Sequence, residues 1–308
     1  MESYIVQNKD FETRINSRSG GMFTAVSDLI LNQNGTVYGA KLNADMTVSH
    51  SRATTKEERN SFRGSKYVRS EFASCIPMIE EDLKAGKWVL FSGTGCQVAA
   101  VKKKCELDNI DCEKLLCMDI VCHGAPQAKI WNKYVEYLEK KYSGKITEFN
   151  FRNKKRFGWK SHVETFTING KTHVSREFTD LFYQHLLFAK TCFNCQNKSL
   201  NRQGDISLAD AWGPLAEGYK DNKGTSLVLV STEKGKKFFN NCADKLNYYE
   251  CNMKEFMQPP LMKNYEMPAN YDQFWQDVED LEWKALYKKY TNTSLKVRLM
   301  RKVKYLLK

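Results

Sequence analysis

Residues 86–124 read GKWVLFSGTG CQVAAVKKKC ELDNIDCEKL LCMDIVCHG. Trp88 to Phe91 is a continuous apolar run short enough for a buried strand, Gly95 to Lys104 has helical character, and Leu115 to Val121 is a second apolar strand. The same alternation extends in both directions. Upstream, Gly20 to Asn32 predicts a helix with Phe23, Val26, Leu29 and Ile30 on one face, Thr36 to Leu42 a strand reached through Asn34-Gly35, and Glu71 to Ala85 a helix ending at Gly86. Downstream, Ala128 to Tyr142 predicts a helix with Trp131, Tyr134, Val135 and Leu138 on its apolar face. Strands alternating with helices predict an α/β core, helices around a mixed sheet, over residues 1–143.

Beyond Ser143 the pattern changes. Ile146 to Phe151, His162 to Ile168, Thr172 to Arg176, Ile206 to Leu208 and Ser226 to Ser231 read as strands, and Asp180 to Phe188 and Lys234 to Lys245 as helices. Residues 144–282 are therefore expected to form an α+β part, so that the chain is α+β overall. Residues 283–308 form a basic amphipathic tail with nine Lys/Arg and no acid, interleaved with Leu286, Tyr287, Leu295, Val297, Leu299, Tyr305 and Leu306. Such a tail can lie on an anionic membrane or dock a partner.

The 308 residues are 42% hydrophobic and 12% aromatic, enough apolar surface to exclude a disordered chain. Mean hydropathy is −0.58 and no apolar run approaches the roughly 20 residues of a membrane-spanning helix. The N-terminus has no basic region followed by an apolar core, so no secretory signal is visible. The expected location is cytoplasmic, with at most peripheral contact at the inner face of the membrane through the tail. With 48 Lys+Arg against 36 Asp+Glu the formal charge is +12, which permits anionic partners without specifying one.

Ten cysteines in a cytoplasmic chain read as metal-binding, redox-active or buried thiols rather than disulfides. Cys192 and Cys195 form a C-x-x-C turn, half of a zinc or iron-sulfur site. Cys96 and Cys122 each follow the carboxyl end of an apolar strand, where an open α/β sheet places its ligands. That placement ranks them above Cys75, Cys105, Cys112, Cys117, Cys242 and Cys251. Cys117, between Leu116 and Met118, reads as a core residue. Three small-residue turns are compatible with a phosphate-bearing ligand: Ser17 to Thr24 at a helix start, Arg63 to Tyr67, and Phe91 to Thr94. Neither a Rossmann nor a P-loop fingerprint is present. The basic run Arg152 to Lys160 reads either as a contact for an acidic substrate or cofactor tail, or as a solvated turn.

Taken in order, S-G-G-M-F-T, R-G-S-K-Y-V, F-S-G-T-G-C-Q, D-I-V-C-H-G, F-N-F-R-N-K and C-F-N-C with its downstream L-A-D-A-W-G resemble the coenzyme F420 hydrogenase/dehydrogenase beta-subunit family, from about residue 4 to 215. The resemblance implies an oxidoreductase, a flavoprotein with FAD beside a 4Fe-4S cluster that passes electrons between iron-sulfur carriers and a two-electron acceptor. Carried over by motif, Cys96, Cys122, Cys192 and Cys195 become cluster ligands. Ser19, Gly20, Gly21, Thr24, Ser65, Lys66, Tyr67, Gly93 and Thr94 become FAD-site residues. Lys66 and His123 become candidates for stabilising reduced flavin or supplying a proton, although His123 also fits a structural hydrogen bond.

The chain departs from the family in two ways. It starts where a ferredoxin-like segment would end, which implies a separate ferredoxin or ferredoxin-like donor, and Gly95 replaces a usual proline, which loosens that turn. Similar proteins are expected near polysaccharide-synthesis functions, so the substrate is a small molecule of unspecified kind. Two other readings use the same residues: a zinc-stapled basic binding protein, and a non-catalytic scaffold in polysaccharide biosynthesis. No nucleic-acid-binding signature is present.

Overall fold

The computed structural model describes residues 1–291. Its strands in chain order are β1 (Glu2–Asn8), β2 (Thr36–Leu42), β3 (Val48–Ala53), β4 (Val89–Thr94), β5 (Leu115–Ile120), β6 (Ile146–Asn150), β7 (Glu164–Ile168), β8 (Lys171–Ser175), β9 (Ile206–Asp210), β10 (Ser226–Val230) and β11 (Leu246–Glu250). By its contacts the chain falls into two compact units. The first comprises Met1–Lys66, Ser70–His123 and Asn194–Tyr265; the second comprises Tyr67–Arg69, Gly124–Phe193 and the chain from Glu266 onward. This division does not coincide with a linear cut at 143, because β9, β10 and β11 return to the sheet begun by the N-terminal strands.

The first unit is built on an eight-stranded mixed sheet in the order β11-β1-β10-β9-β5-β4-β2-β3. β2, β4, β5 and β9 run parallel, while β3, β10, β1 and β11 add antiparallel pairings. Strand alternation explains the apolar runs at the centre. On β4 and β5, Leu90, Leu116 and Met118 face a core with Val26 and Ile30 of helix Met22–Leu31 and Phe238 and Phe239 of helix Glu233–Asn241. Val89, Phe91, Leu115 and Cys117 face the opposite core with Ile79 of helix Ile76–Lys84 and Val98 and Val101 of helix Gly95–Leu107. A strand covered on both faces has no polar side to show. Each such aliphatic side chain contributes about 1.5–3 kcal/mol on burial.

The second unit has an antiparallel sheet in the order β6-β7-β8. Asn169 and Gly170, with φ of 50° and 72°, make the tight turn between β7 and β8. Helix Ala128–Tyr142 brings Trp131 and Tyr134 into an aromatic core with Phe149, Phe151 and Phe178. The expected helix over Asp180 to Phe188 is displaced. The helix is Glu177–Phe182, and His185, at φ 61°, is incompatible with its continuation.

Part of the tail also belongs to this core. Trp283, Leu286 and Tyr287 on helix Trp283–Tyr290 are buried, with Trp283 stacked on Tyr134 and its indole N–H donating to Glu177. The apolar face required for lying on a membrane is therefore already covered over those residues, and residues 292–308 fall outside the described part. Among the described residues no helix is long and apolar enough to cross a membrane.

Glu164 lies fully inside the second unit, accepting from the Tyr134 hydroxyl at 3.0 Å and from the Thr179 backbone N–H. Burial pushes its carboxyl up to about 7. The folded state thus holds a proton that the unfolded state releases near pH 4.5. Stability falls as pH rises from about 5 to 7, by at most about 3 kcal/mol, and then levels. Glu164→Gln is expected to flatten the decline of the urea midpoint over that interval, and an unchanged slope would refute this origin.

Candidate functional site

β4 and β5 pair in parallel to their last residues, Thr94 opposite Ile120, so the chain leaves both strands at one level of the sheet. Cys96 follows β4 in the first turn of helix Gly95–Leu107, exposed, with the Thr94 hydroxyl 3.1 Å from its sulfur. Cys122 and His123 follow β5, both partly buried. His123 stacks on Tyr265 at 5.9 Å, and the buried Lys198 ammonium lies 4.6 Å from the same ring. Burial, with the nearby Cys122 sulfur, pushes the Tyr265 phenol up to about 12.

Cys195 belongs to the same unit. Its N–H donates to Asn264 Oδ1 at 3.1 Å, and its sulfur accepts from the Asn197 backbone N–H at 3.4 Å. Gly95 explains how this loop meets the helix start: a Cβ there would stand 3.0 Å from Asn197 Cβ and 3.3 Å from Asp119 Oδ2. Glycine at this position serves a close approach, where the sequence predicted only a looser turn. Cys192, in the second unit, lies on the 3-10 turn Lys190–Asn194, and its sulfur accepts from Ala125 N–H at 3.5 Å.

The Arg202–Asp119 pair holds the ends of these loops in the first unit. Its side chains are 2% and 0% exposed and meet at 2.7 Å. Ser207 also donates to Asp119, and Arg202 reaches the carbonyls of Asn197 at 2.9 Å, Ser199 at 3.2 Å and Ile120 at 3.2 Å. Burial raises the Asp119 carboxyl above its usual range, opposed by Arg202 and Ser207. A charged residue inside the apolar strand 115–121 was the sequence signal for such a partner, but nothing marked Arg202 as that partner. Lys198, Asn197 and Tyr265 carried no signal either.

The donor set has the chemistry of an iron-sulfur site: four thiols, with backbone N–H groups donating to the sulfurs of Cys192 and Cys195. Among the described residues, however, no three Cys, His, Asp or Glu side chains are gathered as an ion would require. The remaining cysteines differ in kind. Burial pushes the thiols of Cys75, Cys105 and Cys242 up to about 12, and Cys117 is fully enclosed in the core.

The predicted flavin residues fall into distinct groups. Ser19 donates to Thr225 O and Gly20 N–H to Ser226 Oγ, while a Cβ on Gly20 would stand 2.1 Å from Val6 O. These two therefore stitch the loop to β1 and β10. Gly21, at φ 93°, starts helix Met22–Leu31, whose Thr24 has a buried hydroxyl with no hydrogen-bond partner among the described residues. Arg63 Nε is similarly buried and unpartnered, within electrostatic reach of Asp10 and Asp28. These orphaned groups are where an anionic ligand fits.

Ser65 and Lys66 follow Arg63. The Lys66 ammonium donates to Ser61 O at 2.9 Å and Arg63 O at 3.1 Å; although the residue keeps partial exposure, desolvation around the charge pulls its pKa down to about 7. Tyr67 lies in the second unit, where its hydroxyl accepts from Arg152 at 3.2 Å. Gly93 and Thr94 close β4, beside Gln97. In the basic run, Arg152, Lys154, Phe157 and Trp159 are buried, and Arg152 donates to Trp159 O at 3.0 Å, so this segment is not a solvated turn.

Arg202→Met leaves Asp119 buried without its cation and is expected to cost about 3–5 kcal/mol in urea unfolding. Asp119→Leu combined with Arg202→Met is expected to recover most of that loss, and additive losses would refute the pairing.

No curated protein matches the chain. Among solved structures, a chain of the F420-reducing NiFe hydrogenase complex from Methanosarcina barkeri, from a xenon-derivatization study, superimposes with a TM-score of 0.57 at 16% identity, covering 94% of this chain and 90% of that one. That likeness concerns the fold. A family model for the C terminus of the coenzyme F420 hydrogenase/dehydrogenase beta subunit matches residues 86–255, more than half of the sequence and the whole stretch from β4 to β11, and by that match the chain belongs to the coenzyme F420 hydrogenase/dehydrogenase beta-subunit family of redox-enzyme subunits.

Proposed function

We propose that this oxidoreductase-like chain transfers electrons from a separate ferredoxin-type donor through a 4Fe-4S cluster and FAD to a small-molecule two-electron substrate. Cys96, Cys122, Cys192 and Cys195 are the proposed ligands. The observation that carries the reading is the placement of Cys96 and Cys122 beyond two level strand ends, together with N–H donors at the sulfurs of Cys192 and Cys195. Because the thiols are not gathered into a cage as they stand, cluster assembly would have to draw them together.

When bound, the cluster supplies single electrons and the flavin two, so the pair converts between the two kinds of carrier. The chain's own residues bind and orient. Ser19, Gly20, Gly21, Thr24, Ser65, Lys66, Tyr67, Gly93 and Thr94 remain the proposed FAD residues, and unpartnered Arg63 joins them as a cation for phosphate. Lys66 holds a proton near neutral pH, and His123, stacked on Tyr265, is the second proposed proton carrier.

Protein purified without oxygen is expected to be yellow-brown, with about four iron and four sulfide per flavin and absorption bleached by dithionite. Serine at any of the four cysteines should remove most of the iron, while Cys251→Ser should keep it. A colourless protein with one zinc and no flavin would sink the proposal in favour of the zinc-stapled binding protein.

The lowered Lys66 pKa gives a second expectation. Its charge is present below about pH 7 and lost above it, so affinity for anionic FAD should weaken as pH rises through 7. Lys66→Met is expected to abolish that dependence in a fluorescence titration with FAD. If Lys66→Met and His123→Ala both retain normal flavin binding and turnover, neither residue has the assigned role.

A further inference from the structure

A continuous hydrogen-bonded chain runs from the Cys96 sulfur into the core of the first unit. The Thr94 hydroxyl stands 3.1 Å from Cys96 Sγ and 3.1 Å from Gln97 Oε1, which also accepts from Thr94 N–H at 3.0 Å. Gln97 Nε2 donates to Ser70 Oγ at 2.9 Å. Ser70 Oγ lies 3.0 Å from His50 Nδ1, and His50 Nε2 lies 3.0 Å from Ser92 O. His50 is 4% exposed and stacked on Phe91 at 5.1 Å.

The polarity of this chain follows from its inner end. Ser92 O can only accept, so His50 carries its proton on Nε2, and burial, which lowers its pKa to about 4, keeps the ring neutral. Nδ1 therefore accepts from the Ser70 hydroxyl, and Ser70 Oγ in turn accepts from Gln97 Nε2. That orientation fixes Gln97 Oε1 toward Thr94. Since Oε1 already has the Thr94 N–H, the Thr94 hydroxyl proton can turn to the sulfur without leaving Gln97 unsatisfied. A metal-bound thiolate carries more negative charge than an amide oxygen and takes that proton.

We infer that Gln97, held by Ser70 and His50, is a positioning residue that aims the Thr94 hydroxyl at the Cys96 sulfur and so tunes the reduction potential of the centre Cys96 ligates. This rests on the proposed ligation by Cys96. A hydrogen bond to a ligand sulfur draws off charge and favours the reduced, more negative state. Neither Gln97 nor His50 touches the metal.

The test is a redox titration of the full chain, iron-loaded without oxygen and monitored by electron paramagnetic resonance. Thr94→Val and Gln97→Met are each expected to retain the iron and to shift the equilibrium about tenfold against reduction, which is about 59 mV downward for one electron. Thr94→Ser, which restores the hydroxyl, is expected to keep the wild-type potential. A wild-type potential and unchanged resonance in iron-replete Gln97→Met would overturn the inference while leaving cluster ligation intact. If Gln97→Met does not fold, an unshifted potential in Thr94→Val overturns it equally. A wild-type chain that takes up no iron would overturn the ligation and this inference together.

Discussion

The Arg202–Asp119 pair is the constraint on which the first unit's site depends. Asp119 belongs to β5 and Arg202 to the loop before β9, two strands paired in parallel from Met118 opposite Ile206 onward. An enclosed ion pair gives little net stability, since desolvating both charges offsets their attraction, but losing either partner is costly. The pair therefore acts on register. A loop that slipped by a residue would separate the charges and strand both of them in the core. Through the carbonyls of Asn197 and Ser199, the same guanidinium fixes the segment whose N–H faces Cys195, so a charge placed for folding also determines where a sulfur points.

Glycine and small side chains have a matching role on the opposite side of that loop. Gly95 lets helix Gly95–Leu107 begin against Asn197 and Asp119, and Gly20 lets its loop lie on β1 and β10. Both were read from sequence as part of ligand-facing turns. The Gly20 contacts show a different use, close packing of backbone on backbone. Sequence alone cannot separate these uses, because a glycine that admits a phosphate and one that admits a neighbouring strand satisfy the same steric requirement.

The elements visible in sequence were those whose burial is local. Thr36 to Leu42 and Ala128 to Tyr142 coincide with β2 and a helix, and β4 and β5 differ from their expected limits by only a few residues. β1, β3 and β11 had no comparable signal. β3 alternates Ser, His and Arg with small apolar residues, and β11 is Leu-Asn-Tyr-Tyr-Glu on the sheet edge. β1 exists because β10 and β11, more than 200 residues away, supply its hydrogen bonds. Such pairing leaves no trace in a local window. The discontinuous division of the chain follows from the same long-range returns.

The ten cysteines show how burial sorts one residue type into two chemistries. A thiol must lose its proton to bind metal, and desolvation opposes that loss. Cys75, Cys105, Cys117 and Cys242 are fully buried, where burial holds the thiol protonated and the side chain acts as a small apolar group. Cys96 is exposed, and Cys122, Cys192 and Cys195 are partly so. Position relative to the strands was enough to anticipate this separation, because side chains inside a doubly covered strand are buried while those just past its end are not. What position could not supply was the donors: the amides of Ala125 and Asn197 and the hydroxyl of Thr94 reach the sulfurs through turns whose course depends on Gly95, Arg202 and Gln97 rather than on the cysteine spacing.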